Sequence, residues 1–190
     1  MSVSIRKIPY LPGVMALGFT VLAVPVVSAI VYAIWLAGAA AFENVKFAHC
    51  TDQVLALIAQ AQDDAVKDRN FGQTPNEDII DDLIRRGQIQ SQPRNAWSGD
   101  VRAVIQAAQP VPLMHFETDL PSYACKRLAI YLGKNAGDIK LQKMAAREEN
   151  GTWNTFFDMA VDPDTSEFPG VNEACGKAPY STLALTIKLR

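Results

Sequence analysis

The order of apolar and polar positions divides the chain before any residue is given a chemical role. Positions 8–42 carry no charged side chain. Those 35 positions exceed the roughly 20 apolar residues that a helix needs to cross a hydrocarbon core, and they predict a membrane-spanning helix. Beyond them, Phe47, Val54, Ile58, Ala61 and Ala65 recur at steps of 7, 4, 3 and 4. That spacing lines one face of a helix running to about Asn70. No Pro or Gly interrupts positions 39–70, so the apolar and amphipathic stretches read as one long helix.

Gly72 and Pro75 stop that helix. Thr74, Pro75 and Glu77 form the next start signal, with a hydroxyl cap, a proline at the first helical position and an acid three residues after the cap. Ile79, Ile80, Leu83 and Ile84 make its apolar stripe, and Gly87 supplies its stop. A third helix is predicted from near Pro121 to Gly133, with Cys125, Leu128, Ala129 and Leu132 on one inward face. Strand-like composition marks positions 100–106, 111–117 and 153–161, the last after the turn signal Asn150-Gly151. The clearest strand is 183–189, where Leu183, Leu185, Ile187 and Leu189 alternate with Ala184, Thr186 and Lys188. These elements predict an α+β fold: a long N-terminal membrane-spanning helix packed on an antiparallel sheet, with additional short helices.

Charge sets the orientation. Arg6 and Lys7 precede the apolar run with no acid beside them, and the positive-inside bias puts this short end in the cytoplasm and the long C-terminal part outside. Without those two, 16 basic residues face 20 acidic ones, a net of −4, which excludes a general nucleic-acid binder. The run is too long for the apolar core of a cleaved secretory signal, about 7 to 15 residues, and is expected to stay as an anchor. Pro25 removes a hydrogen bond inside it and predicts a bend. Gly38 and the alanines at 33, 37 and 39–41 permit neighbouring helices to approach closely.

The chemical inventory is thin. His49 and His115 are the only histidines, and the chain has no His pair at helical ligand spacing, no Cys-x-x-Cys, no Gly-rich phosphate loop and no nucleophile elbow. Adjacent helical residues diverge by about 100°, so His49 with Cys50 does not read as half a metal site. For the same reason Asp63-Asp64 and Asp81-Asp82 are expected to be solvated faces rather than acid/base pairs. Asn150-Gly151-Thr152 matches a glycosylation acceptor and reads better as a tight turn. The expectation is a protein that is not an enzyme and needs no cofactor or metal. Spacing leaves every pairing of Cys50, Cys125 and Cys175 open.

Three stretches, taken in order, resemble the type IVb pilins. Gly18-Phe19-Thr20-Val21-Leu22 is similar to the prepilin signal, in which a membrane peptidase cuts after Gly and would make Phe19 the new amino terminus. Leu83-Ile84-Arg85-Arg86-Gly87-Gln88-Ile89, followed by Asn95-Ala96-Trp97-Ser98-Gly99-Asp100-Val101, resembles the family's helix, turn and Trp-Gly approach to the sheet. Leu120-Pro121-Ser122-Tyr123-Ala124-Cys125 with Glu173-Ala174-Cys175 resembles its cysteine pair before a terminal strand. The resemblance implies a disulfide between Cys125 and Cys175, with Cys50 as the free thiol.

It also implies a leader or uncut segment at 1–18, a transmembrane and filament-core helix at 19–42 that contains Ala23, Pro25 and Gly38, and an extracytoplasmic domain at 43–190. The implied location is the bacterial inner membrane, with a cytoplasmic N-terminus and a periplasmic domain that becomes extracellular in an assembled pilus. The implied partners are other pilin subunits, the prepilin peptidase, an assembly platform and the lipid bilayer. The family has Glu at the fifth position after the cut, where this chain has Ala23; in related pseudopili a tip subunit lacks that acid because no subunit sits above it. A minor or tip pilus subunit is therefore the expected role. The alternative is a bitopic scaffold of an envelope secretion or conjugation complex.

Overall fold

The computed structural model describes residues 12–67, 76–106, 111–149, 151–161, 168–176 and 178–190, with side chains from Val27 onward. The chain forms two compact units, Met1–Asn44 and Val45–Arg190. Helix α1 covers Pro12–Lys67. Its described side chains up to Phe42 are exposed. Among the described residues it is the one helix long and apolar enough to cross a membrane. At 1.5 Å per residue, helical positions 12–42 measure about 46 Å, more than the ~30 Å of a hydrocarbon core.

From Cys50 onward α1 is amphipathic, as the spacing predicts. Cys50, Val54, Ile58, Ala61 and Ala65 are each at most 1% exposed and join one hydrophobic core. The helix is pinned to the chain end by Gln62, whose Nε2 donates to the carbonyls of Ile139 and Lys188, and by Arg190, whose Nε donates to the carbonyl of Ala65 at 2.7 Å.

Helix α2 is Ile79–Arg85, and its cap differs from the expected one. Asp78 holds the cap position, its Oδ1 accepting from the backbone of Ile80 at 2.8 Å and Asp81 at 3.3 Å. Thr74 and Pro75 lie outside the described residues. The reason for the shift is pairing: the carbonyl of Glu77 accepts from Ile105 and the Asn76 amide donates to Ile105, so residues 76–78 edge the sheet instead of starting the helix. The stop is as read. Gly87 has φ +72, its amide donates to Ile84 and that of Gln88 to Leu83, which closes a Schellman cap.

Strands β1 (Val101–Gln106), β2 (Leu113–Pro121), β3 (Leu141–Glu148), β4 (Asn154–Asp158) and β5 (Tyr180–Lys188) make one antiparallel sheet in the order β1-β2-β5-β3-β4. The alternation read at 183–189 is the core face of β5: Leu183, Leu185, Ile187 and Leu189 are fully buried. Helix α3 is Ser122–Lys134, with Cys125, Leu128, Ala129 and Leu132 buried as expected. Gly133 does not end it. The helix runs one residue further, and a Cβ at Gly133 would come within 2.1 Å of the Phe168 ring, so this glycine serves close packing.

Strand β3 and the short helix α4 (Val171–Ala174) are additions to the sequence-derived elements. Positions 141–148, with Leu, Gln, Lys, Met, Ala, Ala, Arg and Glu, favour a helix intrinsically. Pairing with both β4 and β5 overrides that preference. The paired acids also depart from expectation. Asp63 and Asp81 face water, but Asp64 and Asp82 are only 6% and 5% exposed. The same 100° divergence that separates neighbours turns the second of each pair inward. Gln60 Nε2 donates to Asp64 Oδ1, while Arg85 and Arg86 each reach Asp82 at 2.7 Å.

Candidate functional site

Three features of the fold bear on function. The first is the apolar surface of α1. Ile30, Val31, Ile34 and Trp35 are each more than half exposed, as is Phe42. An exposed apolar surface of this length is compatible with a single membrane pass. Gly38 lies within it, and a Cβ added there would meet nothing within 4 Å. Gly18, Phe19, Ala23 and Pro25 fall in the helical backbone of α1, and their side chains lie outside the described residues.

The second feature is the disulfide. Cys125 near the start of α3 and Cys175 after α4 are bonded, with Cα atoms 5.9 Å apart and a sequence separation of 50. Both are fully buried. Beside the bridge, Ser181 donates its hydroxyl to the carbonyl of Cys175, and Ser122 donates to the carbonyl of Ala178, so the segment after the bridge is tied to the start of β5 and α3. Cys50 is free and buried. Burial pushes its thiol up to about 11, against a weaker opposing pull from a backbone hydrogen bond at Ala96. At pH 8 the thiolate is then scarcer by roughly 100-fold than in an ordinary cysteine. Alkylation of the native, non-reduced protein at pH 8, followed by mass spectrometry, should label Cys50 at least about 100-fold more slowly than in the denatured chain. Rapid labelling at Cys50, or any native labelling of Cys125, would contradict the arrangement.

The third feature is the sheet face turned away from the core. A concavity of about 420 Å³ opens there, walled by Arg102, Glu117, Asp119, Arg147, Tyr180 and Thr182. Arg102 stands opposite Glu117 in register, and Asp119, Thr182 and Arg147 form the next row. Thr182 Oγ1 donates to Asp119 Oδ1 at 2.7 Å, and His115 Nε2 lies 3.0 Å from Glu117 Oε1. The surface offers charges of both signs and hydroxyls to a polar partner. The sequence carries a signal for this face, since His115, Glu117 and Asp119 recur at a period of two, the spacing of one strand face. Among the described residues, no group of three or more His, Cys, Asp or Glu is placed to hold a metal ion.

The turn that leads into the sheet is organised by Asn95. Its Oδ1 accepts from the amides of Trp97 and Gly99, and its Nδ2 donates to Thr118 Oγ1 and the Asp119 carbonyl. A Cβ at Gly99 would sit 2.0 Å from that carbonyl, so only glycine fits. His49 lies exposed on α1 next to buried Cys50, and His115 lies on β2, so the two histidines stand on separate elements. Set against family models, curated proteins and solved structures, the chain matches none.

Proposed function

We propose that the chain is a structural subunit of a type IV pilus or a related filament, a minor or tip subunit held in the inner membrane by residues 19–42 before assembly. The observation that carries this reading is the change of character along α1. Residues 27–42 expose apolar side chains, whereas Cys50, Val54, Ile58, Ala61 and Ala65 are core of the globular unit. One element thus offers an apolar surface that lipid or a bundle of like helices can cover equally well. The disulfide-closed segment leading into a central terminal strand is consistent with the resemblance of the cysteine motifs.

Ala23 supports a minor or tip position for the subunit. A main-body subunit offers a carboxylate to the amino terminus of its neighbour within an apolar bundle, where an unpaired charge is costly, and Ala23 has none. A tip subunit meets only one side of that requirement. Amino-terminal sequencing of the native protein should therefore return Phe19. In sheared filaments, quantitative mass spectrometry should find this chain scarce beside a Glu-bearing pilin. Its deletion should reduce filament number more than length. Recovery of an intact Met1 or Ser2 end with no chain in filaments would favour the bitopic scaffold, and finding it as the dominant filament component would remove the tip assignment.

A further inference from the structure

The outer face of the sheet carries hydrogen-bonding groups that the fold leaves unused. Thr182 is the short side chain at its centre, standing in register between Asp119 on β2 and Arg147 on β3. Neighbouring strands lie about 4.8 Å apart, so this row spans about 10 Å over three strands. Arg102, Glu117 and Tyr180 rise around it and complete the walls of the concavity of about 420 Å³. Among the described residues neither Arg102 nor Arg147 is in an ion pair, although carboxylates line the same walls. Asp119 accepts from Thr182 through Oδ1 and Glu117 meets His115 through Oε1, so each keeps a second oxygen for another donor. Arg147 is held from the side, its Cζ 4.6 Å from the centroid of the Trp153 ring. Tyr180 is 50% exposed.

We propose that this concavity is a binding site for an uncharged saccharide. The ionised groups of its walls are Arg102 and Arg147 against Asp100, Glu117, Asp119 and Glu149, a net of −2. That balance disfavours an anionic ligand, while the two guanidinium groups disfavour a cationic one. Its lining residues include no aliphatic side chain that would favour an apolar ligand. A sugar hydroxyl both donates and accepts, so a row of them meets the guanidinium donors and the carboxylate acceptors together without adding a charge. Hydrogen bonds to charged groups are the stronger kind, which suits a ligand that must give up hydration at many positions. The Tyr180 ring supplies the remaining element, since its electron-rich face attracts the weakly positive C–H face of a sugar ring. Every wall residue lies in the globular unit, so the inference holds whatever the role of residues 19–42.

The test uses the full-length chain in a zwitterionic detergent that contains no sugar, so that no glycoside competes for the site. The protein is applied to a printed array of neutral, sialylated and amino-sugar glycans, and the best neutral glycan is then titrated by calorimetry. At least one neutral glycan is expected to bind with a Kd below about 1 mM, and more tightly than its charged counterparts. R147Q and Y180A should each weaken that binding by about fivefold or more. Y180F, which keeps the ring, and K143Q, which lies on the same face outside the concavity, should bind as the wild type does. Circular dichroism establishes that each variant is folded, and Y180F with R147Q carries the test if Y180A is not. Absence of binding to every neutral glycan, or tighter binding of the charged ones, overturns the saccharide assignment. Binding at wild-type strength by R147Q or by a folded Y180A places any sugar elsewhere and overturns the site.

Discussion

Removing residues 183–190 is expected to abolish folding of the globular unit. That segment holds Leu183, Leu185, Ile187 and Leu189, all fully buried. At ~1.5 to 3 kcal/mol for each large apolar side chain, their burial amounts to about 6 to 12 kcal/mol, comparable with the whole stability of an ordinary domain. The loss also unpairs β2 and β3 together, because β5 lies between them, and leaves their backbone groups without partners. Gln62 and the end of α1 lose their contacts with Lys188 and Arg190 as well. The shortened protein should aggregate and show no cooperative thermal transition by circular dichroism. A soluble truncation that melts cooperatively would mean that β5 is dispensable.

Replacing both Cys125 and Cys175 with alanine should leave a folded but much less stable protein. Closing a loop with a sequence separation of 50 restricts the unfolded chain by about 4 kcal/mol at 25 °C in the chain-entropy account. For a unit of this size that corresponds to a fall in Tm of roughly 10 °C. The measurement is calorimetry on the full chain in detergent, with and without reductant. Reductant should lower the Tm of the wild type toward that of the variant and leave the variant unmoved. A Tm within two degrees of wild type in the double variant would show that the bridge constrains little.

The parts of the fold legible in sequence are those where one periodicity dominates. The stripe Val54, Ile58, Ala61 and Ala65 and the alternation from Leu183 to Leu189 each face a single core, so the pattern alone assigns side and element type. β3 was hidden because its residues favour helix and its bulged register breaks the period of two, a choice made by the neighbouring strands. The cap of α2 falls at Asp78 rather than Thr74 because residues 76–78 answer to Ile105 on β1, far along the chain. Gly133 reads as a helix stop until Phe168 is seen against it. Of the candidate site, the apolar run and the cysteine motifs are visible in the sequence, whereas the bonds from Asn95 to Thr118 and Asp119 join a loop to a distant strand and follow no sequence spacing. The polar concavity likewise assembles from four strands, and only the β2 contribution has a local signature.

Strand β5 follows all four of its sheet partners in sequence yet is central in space, so the sheet cannot close during synthesis until β5 has emerged. The β1–β2 and β3–β4 pairs are local and can form while the chain is still emerging, but each then presents an open inner edge. Neither edge is closed until β5 arrives, and closure between segments distant in sequence is slow. The interval between hairpin formation and the emergence of β5 is thus the period of greatest exposure to mispairing. A chain that stops short of β5 never leaves that period, so the topology makes synthesis through β5 a condition for masking the edges of β2 and β3.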